Sequence, residues 1–361
     1  MAAAAAPAPA PVASLARDNS QLFGAFVTAR HGSSFAATPE HLLVFGGTME
    51  GDDTCYLHSF DFSRRLWTEF PLCEQLAGVS SIQSALSMFS PDGTLYIFGG
   101  ETYNDFGTTE DVELSLAFDL PAGAWRVVQF SGELPSCTNN EVAVVGNKAF
   151  VVSSNTGAGH VHVLDFASLC FSRMQTTGLK PEPSNIRCLA ADASKKLVYA
   201  LVVDMPQCQL LTLDTETLTW AAAALPFRQQ PALELLVVLP DGRVLMTDCD
   251  CTDAVLYNCS SGVASHVDGP LNSTLLSYDH LCARQSSLFM FSGILSDDPT
   301  CPGMPMVEVA LASLVPAAGG VPPPSKLVAD LGSLLEPDGA TLSDVTFLVE
   351  GKEVKAHRCA R

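Results

Sequence analysis

Leu42-Leu43-Val44-Phe45-Gly46-Gly47 returns as Leu95-Tyr96-Ile97-Phe98-Gly99-Gly100. Looser copies follow at Ala149–Ser154, Val198–Val203, Arg243–Asp248 and Leu288–Gly293. Their last residues step by 53, 54, 49, 45 and 45. A fixed period of this length marks a repeat architecture, and missing it misreads the whole fold. A second signature follows each run: an Asp or Asn closes an alternating strand, and an aromatic residue stands six positions later. The pairs are Asp61 with Trp67, Asp119 with Trp125, Asp165 with Phe171, and Asp214 with Trp220. Asn258 keeps the spacing but meets Ala264, and the sixth copy has only Val307–Leu311.

Each unit reads as four strands. Asp92-Gly93 and Asp241-Gly242 are tight-turn dipeptides between strands one and two. The Asp-to-aromatic segment supplies strand three, a turn and strand four. No unit carries sustained helical periodicity. Units of this size with four strands are the blades of a propeller. The expected fold is all-β, a six-bladed β-propeller.

The paired glycines, the Asp and the aromatic six later resemble kelch repeats, over roughly residues 22–315. Arg30-His31-Gly32-Ser33 is similar to the lead-in of the first kelch strand. The glycine pairs are expected to permit close backbone approach, and the aromatics to pack between neighbouring blades. The sixth copy lacks a fourth strand, and the apolar stretch Gln21–Thr28 is expected to supply it and close the ring. Closure removes exposed sheet edges.

Composition narrows the function. The chain of 361 residues has a net charge of −20 and 47% hydrophobic residues. That much apolar content excludes wholesale disorder. The acidic balance excludes general nucleic-acid binding, which neutralises phosphates with Lys and Arg. It favours a partner with a basic surface. No window of 18 apolar residues occurs, so no membrane contact is expected. The twelve cysteines form no CxxC pair and read as buried thiols of a reducing compartment, cytoplasmic or nuclear. Residues 1–20 form an Ala/Pro-rich tail, expected to be disordered, whose prolines argue against a secretory signal.

The loops between strands two and three share one rim. They span roughly residues 48–56, 101–112, 155–160, 204–208, 248–254 and 294–306. They carry Glu50, Asp52, Asp53, Glu101, Asp105, Glu110, Asp111, Asp204, Asp248, Asp250, Asp253, Asp297 and Asp298, and no Lys or Arg. Arg64, Arg65, Lys148, Lys195, Lys196 and Arg243 fall on the opposite rim. An acidic rim raises encounter rate and selectivity for a basic ligand. Tyr103 and Phe106, with Met304 and Met306, are the anchor candidates.

No motif commits to chemistry. HExxH, GxSxG, GxGxxG and phosphate loops are absent. His160 and His162 read as structural residues. Asp248-Cys249-Asp250-Cys251 with Cys259 is a poor zinc match. Some kelch-like propellers are enzymes, but their ligand constellations find no match here. No catalytic residue, metal or cofactor is expected.

After Leu314 comes a Pro/Gly linker, 315–326, then helical spacing over 327–335 and a strand, turn and strand from Ser343 to His357. Ser343-Asp344-Val345-Thr346-Phe347, the Glu350-Gly351 turn and Ala356-His357 resemble the opening of a BTB (POZ) domain. The chain stops where that family continues into its helical core, so residues 327–361 read as a truncated α/β BTB fragment. The order kelch-then-BTB is similar to substrate adaptors of cullin-3 ubiquitin ligases. That resemblance implies a propeller that binds the target protein and a BTB domain that, when complete, self-associates and docks cullin-3. The alternative is a stand-alone kelch scaffold with no ubiquitin role, and a third class is an enzyme with its site at the axis.

Overall fold

The computed structural model describes residues 23–24, 32–48, 56–71, 73–76, 79, 81–103, 109–138, 140–153, 155–204, 207–223, 233–248, 254–267, 280–291, 306–311, 345–349 and 352–356. It divides into two units, Met1–Pro316 and Ala317–Arg361. In the second unit Val345–Val349 pairs antiparallel with Lys352–Ala356, so two strands stand where the sequence reading expects them, and the Glu350-Gly351 turn lies outside the described residues. The helical spacing at 327–335 lies outside the described residues.

The first unit is an all-β propeller. Five of its sheets have four or five strands, and a further sheet has three. In each, successive strands pair antiparallel from the inside outward. The first runs Ser34–Ala37, His41–Phe45, Leu57–Asp61, Leu66–Phe70. The three-stranded sheet runs His280–Arg284, Ser287–Phe291, Met306–Ala310. Second strands are nearly continuous apolar runs because neighbouring sheets cover both their faces. Leu42–Phe45, Leu95–Phe98 and Ala149–Val152 are all buried. Outer strands have solvent on their rim-ward and peripheral sides, so Glu69, Val127 and Met174 are exposed.

The core lies between sheets, not within them. One cluster joins Leu43 and Phe45 of the first sheet to Ile97 and Phe118 of the second. Others join second to third, third to fourth, and fourth to fifth. Leu256 of the fifth sheet packs with Leu288 of the three-stranded sheet. Phe289 and Phe291 of that sheet pack with Phe60 and Trp67 of the first. The aromatics of the signature sit in these clusters as expected. Trp67, Phe171 and Trp220 are buried, and half-buried Trp125 donates its Nε1–H to the Pro71 carbonyl at 2.8 Å.

The Asp of the signature has a local cause. Asp61 Oδ1 accepts from the N–H of Ser63 and Arg64, Asp165 from Ala167 and Ser168, Asp214 from Glu216 and Thr217, and Asn258 from Ser260 and Ser261. Asp119 accepts from Ala122. A short side-chain acceptor bonding the backbone two or three residues on stabilises such a turn. Four residues after each Asp or Asn the chain is left-handed, at Arg65, Gly123, Leu169, Leu218 and Gly262. The strand that follows then brings the aromatic directly opposite the residue before the Asp, as in Phe60↔Trp67 and Leu164↔Phe171.

One expectation is corrected. Phe23–Gly24, inside the stretch expected to complete the last sheet, pairs parallel with Leu66–Trp67 on the outside of the first. Ser131–Gly132 and Thr177–Gly178 do the same on the third and fourth sheets, beside Phe171 and Trp220. A Cβ at Gly132 or Gly178 would lie 2.0 or 2.2 Å from the carbonyl oxygen of that aromatic. The x-Gly clip therefore belongs where a backbone must touch the outer strand, which glycine alone permits.

Candidate functional site

The glycine pairs begin the rim that the sequence nominates. Gly46 and Gly47 have φ of 67° and 92°, and Gly99 and Gly100 have 65° and 112°. They turn the chain out of the second strand and against the connector to the next sheet. Gly47 N–H donates to Ile82 O at 2.6 Å, and Gly100 N–H to Cys137 O at 2.7 Å. Gln83 and Glu101 exchange two backbone hydrogen bonds at 2.8 and 2.9 Å. On that base stands a short hairpin, Glu101–Tyr103 paired with Thr109–Asp111, with Glu101 opposite Asp111 and Thr102 opposite Glu110.

Glu110, Asp111 and Glu113 are exposed, and Glu101 is half-buried with the Ser84 hydroxyl 3.4 Å from its Oε1. Asp204 is exposed at the end of a strand pair on the fourth sheet, and Asp248 is half-buried beside Thr247. Glu50, Asp52, Asp53, Asp105, Phe106, Asp250, Asp253, Asp297 and Asp298 lie outside the described residues, as do Met304, Asp344 and His357. Tyr103 and Met306 are placed on their strands by backbone alone.

The acids are close enough to act on a neighbour. Burial raises the Cys137 thiol pKa, and the negative charges of Asp111 and Glu113 raise it further. Asp111→Asn with Glu113→Gln is therefore expected to lower that pKa and speed alkylation of Cys137 a few-fold at pH 8. Peptide-level mass spectrometry after timed iodoacetamide labelling reads this. An unchanged rate would remove the acids from the Cys137 environment.

Loop-by-loop reading missed a cation. Arg173 stands on the outer strand of the third sheet, yet its Nε donates to Thr156 O at 3.0 Å, beside the 155–160 loop. Only strand direction, not loop membership, would have found it. His162 is buried with Nδ1 3.1 Å from Thr156 Oγ1, which is its structural role.

On the opposite rim most of the expected basic residues meet acids. Lys195 reaches Asp192 at 2.9 Å and Arg243 reaches Asp241 at 2.6 Å. Arg64 stands 3.8 Å from Asp61, Lys196 pairs with Glu216, and Arg65 pairs with Glu308 across from the first sheet to the three-stranded one. Between the first two sheets here a cavity of about 480 Å³ is lined by His41, Arg64, Phe70, Phe89 and Leu120.

The axis of the first unit holds a second cavity of about 320 Å³, lined by the inner strands of its five larger sheets and of the three-stranded one. His280 stacks on Phe35 with ring centroids 4.9 Å apart. Burial lowers the His280 pKa to about 4, so its ring is neutral at pH 7. Nearby, burial lifts the Glu141 carboxyl to about 8, against the N–H of Leu189 bonding it, so it stays mostly protonated. Burial pushes the Cys282 thiol up to about 12 and raises that of Cys188 as well. These groups all favour their neutral forms. None of these thiols is activated as a nucleophile.

The model of the KLHDC2/KLHL20/DRC7 Kelch-repeats domain matches residues 12–201. The chain belongs to the kelch-repeat family. The kelch match takes in the first sheets, both glycine pairs and the acidic hairpin, and the residues 327–361 lie beyond it. No curated protein matches the chain. The solved structure of YjhT is similar at a TM-score of 0.58 and 12% identity, covering 80% of this chain and 96% of that one. At that identity the fold alone is shared. Among the described residues no helix is long and apolar enough to cross a membrane.

Proposed function

We propose that this kelch propeller is a six-bladed, non-catalytic protein-recognition module that takes a basic target surface on its acidic rim. The observation that carries the reading is the hairpin Glu101–Asp111, which raises exposed Glu110 and Asp111 from a backbone-bonded base. A rigid base holds the charges in place before binding, which lowers the ordering cost. Counting the three-stranded sheet as a blade rests on its packing against both the fifth and the first sheets.

The finer reading is a substrate adaptor for a cullin-3 ubiquitin ligase in the cytoplasm or nucleus. Support for it is the BTB-like sequence Ser343–Phe347 and Ala356-His357, with the hairpin between them. The mechanism is proximity: the propeller raises the target's local concentration at a ligase whose other subunits do the chemistry. The alternative is a kelch scaffold without that link.

One experiment separates these. The chain carrying Asp105→Lys, Glu110→Lys and Asp111→Lys is compared with wild type in affinity capture from its native source. The principal partner should be lost, while circular dichroism stays unchanged. Unchanged recovery would overturn the rim reading. Cullin-3 in the wild-type complex would favour the adaptor, and its consistent absence would leave the scaffold.

A further inference from the structure

We propose that the axial cavity is a binding site for a small, uncharged, mostly apolar molecule bearing one hydroxyl, with His280 Nε2 as its polar partner. The site does not depend on what the acidic rim binds.

The sheet register shows how His280 differs from its equivalents. It pairs opposite Phe291, as Ser34 does with Phe45, Leu86 with Phe98, Glu141 with Val152, Cys188 with Leu201 and Leu236 with Met246. These six residues form one layer, one from each inner strand. The other polar members of the layer have partners. Ser34 Oγ–H donates to Phe45 O at 3.3 Å and accepts from the Ser87 hydroxyl at 2.7 Å. Glu141 takes the N–H of Leu189, and Cys188 Sγ lies 3.8 Å from Leu236 O. His280 Nε2 is buried and has no hydrogen-bond partner among the described residues. Buried polar atoms in folded proteins are nearly always paired, so an orphan marks a place for a missing partner. The imidazole is held by its stack on Phe35, with the ring planes 4° apart.

Room for that partner lies beside it. Two residues further along the same strands stand Ala36, Ala143, Ala190 and Cys282. Their short side chains line, with His280, the cavity of about 320 Å³. An apolar cavity of about 150 Å³ already holds benzene, so this one has space for a bicyclic ring. Val, Leu and Ala supply most of the remaining wall. Exposed Ala37 stands at the far end of the lining, so the cavity is reached from the rim opposite the acidic hairpin.

The surroundings also set the charge of the occupant. Burial holds His280, Glu141 and the Cys282 thiol in their neutral forms. The same burial penalises a charged ligand. A neutral imidazole presents Nε2 as donor or acceptor according to its tautomer, and a hydroxyl can meet either.

The test titrates the full chain at pH 7 with 2-naphthol, 2-methylnaphthalene and 2-naphthoate by isothermal titration calorimetry. The three are close in size and carry a hydroxyl, a methyl or a charge. 2-Naphthol should bind roughly tenfold or more tighter than the methyl isostere, and 2-naphthoate should bind weakest. His280→Phe keeps the stack on Phe35. It should erase the preference for the hydroxyl and leave 2-methylnaphthalene binding unchanged. A preference that survives in His280→Phe, or 2-naphthoate binding as tightly as 2-naphthol, would overturn the proposal. So would the failure of all three probes to bind, which would mean that water alone fills the cavity. If the variant fails to fold, the wild-type chain gives the second readout through the nitrogen-15 resonance of His280 Nε2. Saturating 2-naphthol should move that resonance, and an unmoved signal would overturn the assignment of His280 as the partner.

Discussion

Gly99→Ala is expected to cost the propeller about 3–5 kcal/mol. Gly99 has a φ of 65°, and its missing Cβ would lie 2.4 Å from Cys137 O and 2.7 Å from Cys137 Cα. The left-handed backbone alone costs an L-residue about 1–2 kcal/mol. The rest comes from forcing the connector away, since backbone atoms cannot swing aside as a side-chain tip can. Displacing Cys137 also breaks the bond from Gly100 N–H. Against a total stability of about 5–15 kcal/mol, this is a large fraction. Gly146→Ala isolates the conformational part. Its φ is 57°, but no atom lies within 4 Å of the added Cβ. That variant should lose only about 1–2 kcal/mol. Urea unfolding of both variants checks the difference, and equal losses would show that the connector yields freely.

Glu141→Gln should flatten the alkaline side of the stability profile. The folded pKa of Glu141 is raised to about 8 from 4.5. Its stabilising protonated state is fully present below 4.5 and is lost as pH rises through 8. His280 has the opposite sign. Its folded pKa is lowered to about 4 from 6.5, so its contribution is complete above 6.5 and lost as pH falls through 4. Between 4.5 and 6.5 the two slopes oppose each other. From 6.5 to 8 only Glu141 acts, at about 1.4 kcal/mol per pH unit. Wild type should therefore lose about 2 kcal/mol across that window, and Glu141→Gln should lose almost none. Urea midpoints at pH 6.5 and 8 read the effect. A wild-type curve flat over that range would place Glu141 in water.

The repeat was legible because its punctuation has strict stereochemical causes. The paired glycines mark where backbone meets backbone at Ile82 and Cys137. The Asp-to-aromatic spacing reflects a side-chain-capped turn of constant length. The x-Gly clips were not legible, because two-residue strands leave no hydrophobic period. Their one signal is a glycine seven positions after an aromatic, and it was read only once Gly132 and Gly178 were seen against Phe171 and Trp220. The rim was legible in part. Glu110 and Asp111 could be nominated from charge alone, whereas the reach of Arg173 depended on which way an outer strand runs.

The capped turns have a consequence for how such a molecule can vary. With the Asp-to-aromatic interval held at six and the first turn kept short, almost none of the spread in unit length, from 45 to 54, can be absorbed there. Insertions and deletions are channelled to the opposite end, where an entire hairpin has been accommodated between Gly100 and Val112. One face is a fixed manufacturing standard and the other is free to diversify. A peptide grafted between Tyr103 and Thr109 would extend a hairpin that already stands apart from the capped turns, and a library built there should leave the scaffold's stability unchanged in thermal unfolding.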